Sequence, residues 1–223
     1  MRTAVTSGEL VYLEVGASRT FAGALEWPGW CRAGRSEEQA LVALLSYGDR
    51  YARVVAGSDP SFGAPRDLAA LQVLERLGGN AGTDFGVPGI APAADERTLD
   101  EAELERQVRL LAACWEAFDK AVQAATGREL RTGPRGGGRG LAKMVAHVSD
   151  AEAAYLHQLG AKAPGDPDAA RQAIRETLRA RALGLPLARS TATRNPWSPR
   201  YFVRRAAWHL LDHAWELEDR TIA

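Results

Sequence analysis

The chain has 223 residues, with 28 Lys+Arg balanced by 28 Asp+Glu and a formal net charge of zero. That length allows one large domain or two small ones, each able to bury a core, and the balance gives no global field toward nucleic acid or anionic lipid. Two cysteines, Cys31 and Cys114, exclude a disulfide framework, and no signal-peptide pattern or apolar run of roughly 18 residues marks export or a membrane span, so a soluble, cytoplasmic chain is expected.

The first part of the chain reads as strands. Residues 9–15 are β-rich, and a turn at 16–18 leads into residues 20–25, the pattern of a hairpin. Pro28-Gly29 breaks the chain, and residues 30–32 suit a third short strand. Ser36 then opens a helix with Glu37 and Glu38 in its first turn, favoured by the positive end of the dipole. Ala40, Leu41, Leu44, Leu45 and Tyr51 continue it at helical spacing to about Val55. Residues 71–77 make a fourth strand, closing a β-β-β-α-β unit over residues 1–80.

A Gly- and Pro-rich stretch follows, and residues 78–98 read as a connector. Thr98 with Glu101 matches a capping box. Leu104, Val108, Leu111, Trp115, Phe118 and Val122 then keep the spacing of a long helix with one packed seam. Gly127 ends it. The loop 133–140 contains Arg135 and Arg139 among glycines, and residues 141–159 form the next helix. Asp166-Pro167 supplies an N-cap and a proline at the first helical position for a helix to about Leu183. A Pro-containing connector leads to a last helix over 201–220. The expected fold class is α+β: the small unit, then an up-and-down four-helix bundle within residues 81–223.

Chemistry concentrates in the histidines, of which there are four. His209 and His213 are spaced i, i+4 and share a helix face, while His147 lies on an earlier helix near its inward side. Three neutral imidazoles from two helices are a plausible ligand set for a divalent metal, zinc or nickel. The bland alternative is a pair of hydrogen-bonded histidines on a wet helix face. The remaining His157 is ten residues from His147, about 15 Å along the axis, and reads as a surface or interface residue. Glu216 lies one turn beyond His213; it suits an outer acceptor or a fourth ligand, or simply a pair with Arg220 at i+4. Asp212 points about 100° from His213 and is a poor ligand. Arg135 and Arg139, just before a helix N-terminus, could hold a carboxylate or phosphate, or lie in a flexible solvated loop.

The motif His147-Val148-Ser149-Asp150-Ala151-Glu152, followed by His209-Leu210-Leu211-Asp212-His213, resembles the DinB/YfiT-like superfamily of four-helix bundles over residues 99–223. The resemblance implies metal ligation by His147, His209 and His213. It also implies a metal-dependent transferase or isomerase acting with a low-molecular-weight thiol such as mycothiol on a small-molecule substrate. Phe21-Ala22-Gly23-Ala24-Leu25, Pro28-Gly29, Gly34 and Ser36 to Leu41 resemble a HicB-type antitoxin fold, a reduced RNase H-like unit covering residues 9–77. That second likeness implies a protein partner. The alternative function is a non-catalytic binding or regulatory protein with a structural metal or none; a homodimer suits either role. The six tryptophans form no ladder for stacking bases and read as packing, so nucleic acid is not an expected partner.

Overall fold

Among residues 8–133 and 138–222, which the computed structural model describes, a four-stranded sheet comes first and long helices second, a mixed α+β chain. The chain divides into two compact units, Met1–Ala94 and Asp95–Ala223. The break falls inside the stretch read from sequence as a connector.

In the first unit β1 (Glu9–Val15), β2 (Thr20–Ala24) and β3 (Cys31–Gly34) precede α1 (Glu37–Ser46), α2 (Gly48–Val55) and β4 (Leu71–Gly78). The sheet order is β3-β2-β1-β4. β2 pairs antiparallel with both β1 and β3, whereas β4 joins β1 in parallel, with a register shift between Val11 and Tyr12. A parallel partner needs a crossover rather than a tight turn, and the helices supply it. Trp30, fully buried, packs edge-on to Phe62 at 5.1 Å, and Phe62 meets Tyr51 at 4.9 Å. Their polar tips are satisfied: Trp30 Nε1 donates to the Leu44 carbonyl and the Tyr51 hydroxyl to the Pro28 carbonyl, each at 2.9 Å.

Two sequence expectations change here. The single helix over 36–55 is two, because Tyr47 (φ −94°, ψ 0°) leaves the helical path between them. Gly48 begins α2 where the chain passes close to Ala64; a Cβ there would lie 3.2 Å from the Ala64 Cβ. The connector is also not bare loop. It holds a short α3 (Ala81–Phe85), started by a capping box of Asn80 and Thr83. Glu14, fully buried on β1, accepts hydrogen bonds from the Thr83 hydroxyl and from the backbone N–H groups of Gly89 and Ile90, the last two at 3.0 Å. A buried carboxylate thus ties the Gly- and Pro-rich stretch to the sheet.

The second unit contains α4 (Glu101–Ala125), α5 (Leu141–Leu159), α6 (Pro167–Ala182) and α7 (Pro199–Arg220). The capping box of α4 is Asp100 with Glu103, two residues later than the Thr98 and Glu101 pair expected. Leu99 and Leu104, both buried, explain the shift, since they then occupy the two positions of a hydrophobic staple around the cap. Of the expected seam, Leu104, Leu111, Trp115 and Phe118 are buried, with Val108 and Val122 at its margins. α6 and α7 begin as Asp166 and Ser198 dictate, each side chain accepting a backbone N–H three residues on.

α7 is the centre of this unit. It packs most extensively on α4, then on α5 and α6, and is buried nearly all round. The apolar stripe of Val203, Leu210, Ala214 and Leu217 is buried, but so are Arg200, Arg204, Arg205 and Arg220. Arg204 forms a bidentate pair with the fully buried Asp95, 2.7 Å for each contact, so its charge is matched inside. Arg200 pairs with Glu103 at 2.6 Å and donates to the Arg97 carbonyl at 3.2 Å. Among the described residues no helix is long and apolar enough to cross a membrane.

Candidate metal centre

His209 and His213, one turn apart on the central helix, are each only 7% exposed. The wet-face alternative therefore fails. α5 brings the half-buried His147 against them, with its buried face formed by Met144, Val148, Glu152, Leu156 and Leu159. His209 Nε2 lies 3.2 Å from His147 Nε2 and 3.2 Å from His213 Nε2. One ring nitrogen from each histidine lies within 4.8 Å of the others. The rings meet nearly edge to face, with interplanar angles of 66°, 85° and 89°. His157, by contrast, is exposed, and Asp212 is no member of the cluster.

Glu216 decides which ring nitrogen of His213 carries the proton. Its carboxylate lies 3.2 Å from His213 Nδ1 and 2.8 Å from Arg220 Nη1. The His213 N–H, chiefly, and the Arg220 cation hold this carboxyl below the usual glutamate range against the opposing effect of burial. An ionised Glu216 can only accept, so His213 carries its proton at Nδ1 and presents a bare lone pair at Nε2. Glu216 thus accepts from His213 Nδ1 and pairs with Arg220, on the side of the ring away from the nitrogen that faces His209.

That tautomer leaves the three nitrogens short of protons. With His213 Nε2 bare, the single proton available to His209 Nε2 can point at His213 or at His147, not both. A proton on His147 Nε2 instead leaves two lone pairs facing each other between His209 and His213. Neutral imidazoles cannot satisfy both 3.2 Å contacts. Two nitrogens bound at about 2.0–2.1 Å to one tetrahedral ion lie roughly 3.3 Å apart, so the observed spacing suits a metal. Burial, foremost, and the neighbouring charges of His213, Arg205, His147 and Arg139 push the His209 pKa down to about 2. His147 is also lowered, by burial first and then by Arg139 and His213. Both are held in the neutral form that ligates.

Arg220, 5% exposed, braces the arrangement from behind. Besides Glu216 it donates to the carbonyls of Arg131 (2.8 Å) and Arg139 (3.1 Å). Gly138, at φ +60°, lets the loop pass against this guanidinium, which an added Cβ would strike. Gly133 and Gly138 are therefore packed against a cation here. The candidate anion residue Arg135 lies outside the described residues. Arg139 is exposed; its backbone carbonyl is engaged with Arg220, and its charge is felt by His147 and His209.

Sequence reasoning passed over Arg205 and gave Tyr155 no part in the site. The Tyr155 ring lies 5.8 Å from that of His209, and the Arg205 guanidinium lies over Tyr155 at 5.3 Å and over Trp208 at 4.6 Å. A usable signal existed, since Arg205 precedes His209 by four residues and so shares its helix face. Cys31 and Cys114 are both buried, and burial raises the Cys114 thiol. Neither is placed to act as a nucleophile. No protein-family model matches the chain, and neither a curated protein nor a solved structure matches it.

Proposed function

We propose that the second unit is a DinB/YfiT-like four-helix bundle that holds one divalent metal, zinc or nickel, through His147, His209 and His213. Its function on this reading is metal-dependent transfer or isomerisation of a small molecule with a low-molecular-weight thiol, mycothiol being one such thiol. The observation that carries the proposal is the convergence of three imidazoles with Glu216 behind His213, and among the described residues no fourth protein ligand joins them. A dipositive ion bound by three neutral histidines retains open positions and lowers the pKa of a bound thiol or water toward neutrality.

The chain's own contributions follow from its contacts. Burial keeps His209 unprotonated, so its lone pair is available at neutral pH. Glu216 holds the His213 proton at Nδ1 and thereby orients Nε2 inward. Arg220 fixes Glu216, and Arg131 and Arg139 fix Arg220 through their carbonyls. The Tyr155 ring lies beside that of His209 at 5.8 Å and continues to Trp197 at 5.3 Å, an aromatic surface next to the centre. With both cysteines buried, the nucleophile on this reading is a thiol co-substrate. For the first unit we propose a HicB-like fold offering a surface to a protein partner.

The test is metal content by mass spectrometry on tag-free protein, beside His209→Ala and His147→Ala, followed by thiol-consumption assays on the metal-loaded wild type. About one equivalent of zinc or nickel, lost in both variants, supports the centre. A wild type that stays empty after equilibration with either ion removes it. Loaded protein that consumes no thiol moves the reading to a binding or regulatory role.

A further inference from the structure

The guanidinium of Arg205 is an unmatched cation inside the protein. The residue is 9% exposed, its Nη1 is buried without a hydrogen-bond partner, and no ion pair reaches it among the described residues. None of the remaining residues is Asp or Glu. The other buried arginines of the same helix show what is missing. Arg204 is matched by Asp95, Arg200 by Glu103 and Arg220 by Glu216. Leaving a buried charge without a partner is costly, so an orphan of this kind marks a place where the partner comes from outside the chain.

Its surroundings define the partner's shape. The Cζ atom lies 5.3 Å from the centroid of Tyr155 and 4.6 Å from that of Trp208, so the cation is bounded by ring faces. Tyr155 continues to His209 on one side (5.8 Å) and to Trp197 on the other (5.3 Å). A guanidinium fork takes a carboxylate through two parallel hydrogen bonds in one plane, and flat aromatic walls favour a flat apolar body attached to it.

We propose that Arg205 is the anchor of a ligand subsite beside His209, and that it takes the carboxylate of a planar, conjugated or aromatic substrate. This deepens the metal-centre reading and rests on it for the statement that the anchored molecule reaches an ion. The carboxylate fixes one end of the substrate at Arg205, and the rest lies along Tyr155 toward the three histidines. The substrate class is thus an unsaturated or aromatic carboxylic acid. Arg205 is a binding residue in this scheme and performs no proton transfer.

Benzoate is the probe, with benzyl alcohol as its uncharged match, titrated by calorimetry into metal-free wild type, R205M and R205K. Saturable benzoate binding that falls about tenfold or more in R205M is expected, with R205K between the two because it keeps the charge without the fork. Benzyl alcohol should not distinguish the three proteins. Circular dichroism on the same samples, and zinc uptake by separate aliquots reloaded with the ion, guard against misfolding, and R205K keeps the test decisive if R205M does not fold. Equal benzoate affinity in wild type and both variants overturns the subsite, as does a wild type that binds inorganic phosphate but no benzoate. The metal reading fails separately: zinc absent from the wild type, with benzoate selectivity intact, removes the ion and leaves the carboxylate anchor standing.

Discussion

The two units bury polar groups in opposite ways. In the first they serve the fold: Glu14 is used up by Thr83, Gly89 and Ile90, and Trp30 and Tyr51 reach backbone carbonyls. In the second, the central helix and α5 bring together three histidine nitrogens whose two contacts neutral rings cannot both satisfy, and the helix carries a cation with no ion pair among the described residues. Buried side-chain atoms without a hydrogen bond, among the described residues, occur only at Arg171, Arg181 and Arg205, all in the second unit. Folding alone selects against such groups, because each costs desolvation that nothing in the chain returns. A satisfied interior therefore reads as scaffold, and an unsatisfied one as a site awaiting ligands.

The sharpest break of that contrast is chemical. His209→Ala should drop bound zinc or nickel from about one equivalent to background, while the thermal midpoint of the variant becomes indifferent to added metal. A variant whose midpoint still rises with zinc would mean that the ion sits elsewhere. Next in size is the scaffold itself. Trp30→Ala removes a fully buried ring and its bond to Leu44, with an expected loss of about 3–5 kcal/mol in denaturant unfolding of the first unit and unchanged metal content. Loss of metal in that variant would break the separation of roles. Smaller again is Glu216→Gln. It keeps the size but loses the charge that fixes the His213 tautomer, so zinc affinity should fall about 10–100-fold in a chelator competition. An unchanged affinity would remove the orienting role.

Much of this contrast was legible in the chain. Residue periodicity finds α4 to α7 within a few positions, because long apolar seams and Asp or Ser caps are local signals. The i, i+4 pair of His209 and His213 and the inward His147 identify the cluster for the same reason. Burial all round α7 was not legible. An amphipathic reading treats arginines as solvent-facing, yet Arg204 and Arg200 are inside because Asp95 and Glu103, distant in sequence, neutralise them. The role of Glu216 rests on which ring nitrogen it faces, a tertiary detail that spacing leaves open. The break at Tyr47 likewise stands beside the approach of Ala64 to Gly48, a contact between residues sixteen apart that no local signal carries.

The mildest test concerns a buried carboxyl in the second unit that neighbours the site without belonging to it. Glu152, 7% exposed, accepts from Trp115 Nε1–H through Oε1. Burial raises its pKa, opposed by the Trp115 hydrogen bond and the Arg171 cation. Arg171 is itself committed elsewhere, bonded to Asp119 at 2.6 and 2.8 Å, so it does not pair with Glu152. An acid whose pKa is raised on folding binds more protons in the native than in the unfolded state. Its contribution to stability is therefore fully present below the ordinary glutamate value and is lost as pH climbs through the raised one. Glu152→Gln keeps the oxygen that Trp115 needs and cannot ionise. In denaturant titrations the variant and wild type should coincide in acid, and the variant should gain on the wild type as pH rises above the usual carboxylate range toward neutrality. A constant difference across pH would show that the Glu152 carboxyl titrates normally.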